Sequence, residues 1–181
     1  YNMSSSAVGD ASSTIVELLT DSEHIGYGEI CPTGPLPQPE HAGSIRADLE
    51  LLAPVLVGLN PVLIGHVLAA MNSAMDGGVG AKSAIDIACW DLLGKATGHR
   101  VCDLLGGPLM DPVSTYHVIA IGTPDESASS ANHLQNDGHT KLQLKAGGRR
   151  IEDDIRAAHA VASVIRPGVD LFVDANRGFS V

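Results

Sequence analysis

KLQLKA at residues 141–146, IEDDIRAAHAVASVI at 151–165 and VDLFVD at 169–174 read as strand, helix and strand. In the first, Leu142 and Leu144 alternate with Lys141, Gln143 and Lys145, the period-two pattern of a strand with unlike faces. In the second, Ile151, Ile155, Ala158, Ala162 and Ile165 fall on one helical stripe. Acids Glu152, Asp153 and Asp154 sit at its positive end and Arg166 at its tail. Gly147-Gly148 turns the strand out, and Pro167-Gly168 stops the helix. Upstream, residues 113–121 form the apolar run of a buried strand. Thr123-Pro124-Asp125-Glu126 is a capping box with proline at the first helical position, and its helix stops at Asn136-Asp137-Gly138. The outcome is β-α-β-α-β with strand starts about 28 residues apart, which parallel strands with right-handed helical crossovers satisfy. An open doubly wound sheet and a closed (α/β)8 barrel both fit this rhythm, and pattern alone leaves both open.

The rhythm differs before Asp111. Residues 14–20 and 25–30 are two short strands around Asp21-Ser22-Glu23, a hairpin. Residues 31–39 hold four prolines and a glycine, so they form a loop. Three helices are expected next: 40–52; 62–75, opened by Pro61 behind Asn60 as its cap; and 81–96, ended by Gly98. After a short apolar turn at 101–105, Gly106-Gly107-Pro108 marks the change of rhythm. Residues 1–111 and 112–181 are therefore read as two domains.

Bulk composition narrows the functional classes. Hydrophobic residues make up 44% and charged residues 18%, the balance of a globular chain. Aromatics are only 3%, so the core must be built of Ala, Leu, Ile and Val, which suits helices on buried parallel strands. A net charge of −10 repels phosphate backbones and anionic lipid, so neither nucleic acid nor membrane is an expected partner. No apolar run is long enough to span a bilayer. Cys31, Cys89 and Cys102 are odd in number and widely spaced, which points to reduced thiols in a cytoplasmic protein.

Chemistry concentrates on the two downstream strands. A strand buried on both faces in a parallel sheet normally reads as continuous aliphatic residues, yet Lys141, Gln143 and Lys145 give this one a polar face. An edge strand with snorkelling lysines would explain the pattern if it stood alone. The next strand ends in Asp174-Ala175-Asn176, with Asp174 and Asn176 on one face. Ligands of parallel α/β folds bind at the carboxyl ends of strands, where Lys145 and Asp174 both lie; an Asp-x-Asn there also serves as a turn or cap. His117, on the first strand, is read as packed or hydrogen-bonded more readily than as part of a site. Gly147-Gly148-Arg149-Arg150 lacks phosphate-loop spacing and is read as a turn. Lys82, Asp86 and Asp91 are read as structural polar contacts.

Four ordered motifs resemble the mandelate racemase/muconate lactonizing enzyme family of the enolase superfamily. They are Gly26-Tyr27-Gly28-Glu29; the run from Ala81 through Trp90-Asp91 to Lys95 with Leu104-Leu105-Gly106-Gly107; Gln143-Leu144-Lys145; and Val173-Asp174-Ala175-Asn176. The resemblance implies an α+β capping domain, its first strand missing, followed by the first three strands of a TIM barrel. It implies Lys145 as the acid/base that removes a proton α to a carboxylate, with Gln143 beside it in the catalytic pair where many relatives carry Lys. Asp174 becomes one of three carboxylate ligands of Mg²⁺, and Asn176 a neighbour that contacts substrate. Tyr1 and the Pro-rich loop are expected to close over the substrate. The expected reaction forms a metal-stabilised enediolate from a small carboxylate, leading to racemisation, epimerisation or dehydration. Burial and a nearby cation would keep the base neutral. Gln-x-Lys, the 31–35 loop and Gln38-Pro39-Glu40-His41 resemble the branch acting on proline derivatives, hydroxyproline-betaine epimerases and cis-3-hydroxyproline dehydratases. The full-length protein is expected to be a homo-oligomer. Only 71 residues run from Asp111 to the end, against about 250 for a whole barrel, so a longer enzyme is expected. The alternatives are a catalytically incomplete piece acting as a structural or binding module and, less in keeping with the absence of a phosphate-binding loop, an open flavodoxin-like domain.

Overall fold

The computed structural model describes residues 11–32, 40–176, 178 and 179. Two compact units are present, one over Asp10–Asp111 and the other containing Pro112–Val181.

The first unit opens with a hairpin. Strands β1 (Thr14–Leu19) and β2 (Ile25–Ile30) pair antiparallel from Thr14↔Ile30 to Leu19↔Ile25. Helix α1 (Ala42–Leu56) starts behind His41, whose ring accepts from the Ser44 N–H while Ser44 Oγ accepts from the His41 N–H. It runs four residues past the expected end and carries Pro54 within its last turn, where only one hydrogen bond near the frayed end is lost. Helix α2 (Ile64–Ala74) starts two residues later than expected. Asn60 Oδ1 accepts from the Val62 N–H and closes a turn of its own, so Asn60 caps that turn and Leu63 precedes the helix. Helix α3 (Val79–Thr97) ends at Gly98, in the left-handed region at φ 68°, as its sequence requires. A short helix α4 (Val101–Leu104) follows.

Small residues on α3 let the hairpin lie directly on its backbone. A Cβ at Gly26 would stand 2.3 Å from the Ala88 carbonyl oxygen, and one at Gly28 only 1.9 Å from that of Ala84. Both positions therefore need glycine. Asp91 Oδ2 accepts the Tyr27 N–H at 2.8 Å, and Lys95 Nζ donates to the Ile25 carbonyl at 2.7 Å. Asp91 is thus a backbone anchor for the strand. Beneath lies a core of Ile45, Leu52, Val67, Met71, Ala81, Ile85 and Cys89. Burial and the nearby Asp86 charge push the Cys89 thiol up to about 11.

In the second unit, β3 (His117–Ile119), α5 (Pro124–Asn136), β4 (Lys141–Lys145), α6 (Ile151–Ala162) and β5 (Asp170–Asp174) alternate in order. The strands are parallel and ordered β3-β4-β5. Ile119, Leu142 and Leu144 pack with Ala131 and Val161 into a second core. The strand expected over 113–121 contracts to three residues, because only His117, Val118 and Ile119 find partners on β4; Val113 and Tyr116 stay exposed. The face of α6 is also turned from its expected stripe. Asp154, Ala157 and Val161 are buried, while Ile151 and Ile155 are half exposed. Gln135 ties α5 to the connection leaving α6: its Nε2 donates to the Val164 carbonyl and its Oε1 accepts the Arg166 N–H. None of the described helices is long and apolar enough to cross a membrane.

Candidate active site at the strand ends

β4 lies between two strands, so among the described residues it is not an edge, and an edge explanation for its polar face fails. Leu142 and Leu144 point into the helix-covered core, at 0% and 1% exposure. Strand alternation then sends Lys141, Gln143 and Lys145 to the opposite face. Lys145 is directly opposite Asp174 in the parallel register, and its Nζ donates to Asp174 Oδ2 at 2.6 Å. Lys145 as a whole is 6% exposed, far more buried than a lysine usually is.

Asp174 is held by three groups. Beyond Lys145, its Oδ1 accepts the Asn176 N–H at 2.9 Å, an arrangement that places Asn176 in the left-handed region at φ 44°. The Ala146 N–H donates to the Asp174 carbonyl at 2.9 Å and fastens the two strand ends together. The Lys145 hydrogen bond, then the Asn176 N–H, hold the Asp174 carboxyl below the usual carboxylate range. Gln143 lies two residues back on the same face, in register with Val118 and Phe172. Its Oε1 is buried with no hydrogen-bond partner among the described residues.

The loop leaving β4 is the turn expected at Gly147-Gly148, and Asp154 and Arg149 lock it. Buried Asp154 accepts the Gly147 N–H at 2.8 Å through Oδ2 and Arg149 Nε at 2.6 Å through Oδ1. Arg149 Nη1 then donates to the Gly122 carbonyl at 2.6 Å, joining the loops after β3 and β4. Gly147, at φ 86° with the Ala175 carbonyl oxygen 2.9 Å from a would-be Cβ, admits no side chain. By sequence Asp154 is one of three acids at a helix start. Nothing local distinguishes it from Glu152 and Asp153, which share the favourable positive end of the helix; only its partners in the loop do.

His117 is not part of this constellation. It shares the register and face of Leu142 and stacks on His139, ring centroids 3.4 Å apart. Tyr1 and residues 33–39 of the Pro-rich loop lie outside the described residues. As for a divalent ion, Asp174 offers the hard carboxylate oxygens that Mg²⁺ prefers. No group of three or more potential metal ligands occurs among the described residues.

The sequence profile of the mandelate racemase / muconate lactonizing enzyme N-terminal domain matches residues 1–106. A cis-3-hydroxy-L-proline dehydratase from Roseibium aggregatum is 44% identical over 168 residues, 93% of this chain and 46% of that protein. The crystal structure of an enolase-superfamily member from Roseovarius nubinhibens complexed with magnesium superposes with a TM-score of 0.86 at 34% identity, over 93% of this chain and 46% of that one. That of the N-succinyl Arg/Lys racemase from Bacillus cereus does so with a TM-score of 0.88 at 31% identity, over 97% and 47%. The chain spans about half the length of the curated relatives it matches. These likenesses decide between the two architectures left open by the strand rhythm. The matched N-terminal domain coincides with the first unit, and the parallel α/β unit is consistent with part of a barrel. The chain belongs to the mandelate racemase/muconate lactonizing enzyme family of the enolase superfamily.

Proposed function

We propose that the whole protein carrying this chain removes the proton α to a carboxylate, and so racemises, epimerises or dehydrates a small carboxylate of the proline type. One observation carries this reading: a buried lysine on a central strand, facing a carboxylate across the carboxyl ends of two neighbouring strands. The 44% identity to a cis-3-hydroxy-L-proline dehydratase supports the proline type of substrate.

Lys145 acts as base, taking the α-proton on Nζ after losing its own. Asp174 orients the amine through the 2.6 Å hydrogen bond and serves as one metal ligand. A bound Mg²⁺ supplies the positive charge that offsets the negative charge developing on the substrate carboxylate. Asn176 holds Asp174 through its backbone N–H and contacts the substrate with its amide. In epimerisation a second acid on the far face returns a proton to the carbon; in dehydration the β-hydroxyl leaves as water with the proton that Lys145 took from the α-carbon. Residues 1–111 then form a capping domain whose first strand lies upstream, and residues 112–181 the first three strands of a barrel that continues. The three free cysteines accord with a reducing, cytoplasmic setting, and the whole enzyme is read as a homo-oligomer.

Lys145→Ala in the whole protein should slow exchange of the α-hydrogen of a small carboxylate by about 1,000-fold, followed by NMR in D₂O. Mg²⁺ binding, measured by calorimetry, should persist. A variant that still exchanges at the parental rate would remove Lys145 from the reaction. A folded, Mg²⁺-loaded whole protein that exchanges no small carboxylate would favour the structural-module reading.

A further inference from the structure

We propose that Gln143 is a specificity residue that selects substrates whose α-carbon carries a protonated amine, its buried Oε1 accepting the ammonium N–H. This inference rests on the proton-abstraction reading of Lys145 and adds the charge state of the substrate's α-nitrogen.

Three observations lead to it. First, Gln143 Oε1 is buried without a hydrogen-bond partner among the described residues. A buried acceptor left empty is costly, and in a binding face the missing donor is expected from a ligand. Second, the register partners of Gln143 on the flanking strands, Val118 and Phe172, are apolar and offer it no donor. Third, the position is close to the reacting centre. Gln143 and Lys145 are two residues apart on one strand face, roughly 7 Å at the backbone, a span their long side chains close.

Charge decides what kind of donor suits the place. Lys145 is matched by Asp174 at 2.6 Å. A neutral carboxamide beside them adds no charge to the site, whatever the protonation state of the amine. A cation at position 143 would confront an incoming ammonium with a like charge in a partly buried site, where screening is weak. With the α-hydrogen at Lys145 and the carboxylate on the Asp174 side, the nitrogen and the β-carbon are the substituents left, and of these two atoms only the nitrogen can carry a charged donor for Gln143. Hydrogen bonds from a charged donor are about twice as strong as neutral ones, so an ammonium is held better than an amide.

The test uses the whole protein with Mg²⁺, and compares α-hydrogen exchange of L-proline with that of N-acetyl-L-proline, whose nitrogen is neutral and carries no hydrogen. The parent should exchange proline faster. Gln143→Lys should lower the ratio of proline to N-acetylproline rates about 100-fold, the size expected of like charges in contact at a partly screened site. Gln143→Met, similar in shape but without the acceptor, should lower the ratio about tenfold. Equal losses on both substrates in both variants, or a parent that prefers the acetylated compound, would overturn the inference while leaving Lys145 as base. Exchange that survives in Lys145→Ala would instead overturn the reading beneath it. An unfolded Gln143→Lys shifts the decision to Gln143→Met alone.

Discussion

At the scale of single residues, the chain places charged side chains where their partners are already fixed. Glu126 reaches back to the Thr123 N–H at 2.8 Å and to its hydroxyl at 2.8 Å, closing the box that starts α5. The backbone hydrogen bond, then the hydroxyl, hold its carboxyl below the ordinary 4.5. A depressed folded value means the contribution is complete above the unfolded pKa and is lost as pH falls through the folded one. Glu126→Gln should therefore flatten part of the acid limb of stability below about pH 4.5 and leave neutral pH nearly unaffected. Urea unfolding from pH 6 to 3 reads this directly; parallel curves for parent and variant would count against the box as a titrating contact. Capping boxes can be read from four letters because every partner lies within one turn. Lys145 and Asp174 could be suspected in the sequence, but 29 residues separate them, and only strand register brought them to 2.6 Å.

At the scale of elements, the rotation of α6 is set by a polar contact and not by its aliphatic stripe. Asp154 is drawn inward by the Gly147 N–H and by Arg149, and the buried face follows it to Ala157 and Val161. Ile151 and Ile155, the strongest hydrophobic signal of the helix, end up half exposed. Hydrophobic periodicity shows that a helix exists and roughly which side is apolar, whereas a buried carboxylate with two donors fixes the angle. Asp154→Ala should cost about 3 kcal/mol, since it leaves the Arg149 guanidinium without its carboxylate and the Gly147 N–H without its acceptor. Denaturant unfolding measures the loss, and a change under about 0.5 kcal/mol, the level of an ordinary surface substitution, would show that the lock is ornamental. The contraction of β3 has a comparable cause: an apolar run supplies candidates for a strand, but partners on β4 decide how many residues pair.

At the scale of the molecule, each unit has its own core. Ile85, 2% exposed, sits among Leu52, Met71 and Cys89 in the first; Leu144, 1% exposed, among Ile119, Leu142 and Val161 in the second. Ile85→Ala should lower stability by about 2–5 kcal/mol through lost burial and the cavity left behind. Trp90, the single tryptophan, lies on the same helix and reports the event by fluorescence. A Trp90 transition at the parental urea midpoint would remove Ile85 from the core. The site itself belongs to the parallel unit, at the carboxyl ends of β4 and β5, where a parallel sheet leaves side chains facing a ligand instead of a helix.

Sequence by itself determined the order of elements, the hairpin, the capping box of α5, the glycine stop of α3 and the family, because each depends on residues near one another or on motifs in fixed order. Tertiary structure alone decided that β4 is central, that Lys145 is buried against Asp174, that Gln143 keeps an empty buried acceptor and that Asp154 turns α6. These depend on which strands become neighbours and in what register, and no local pattern of residues encodes the distance between two points far apart along the chain.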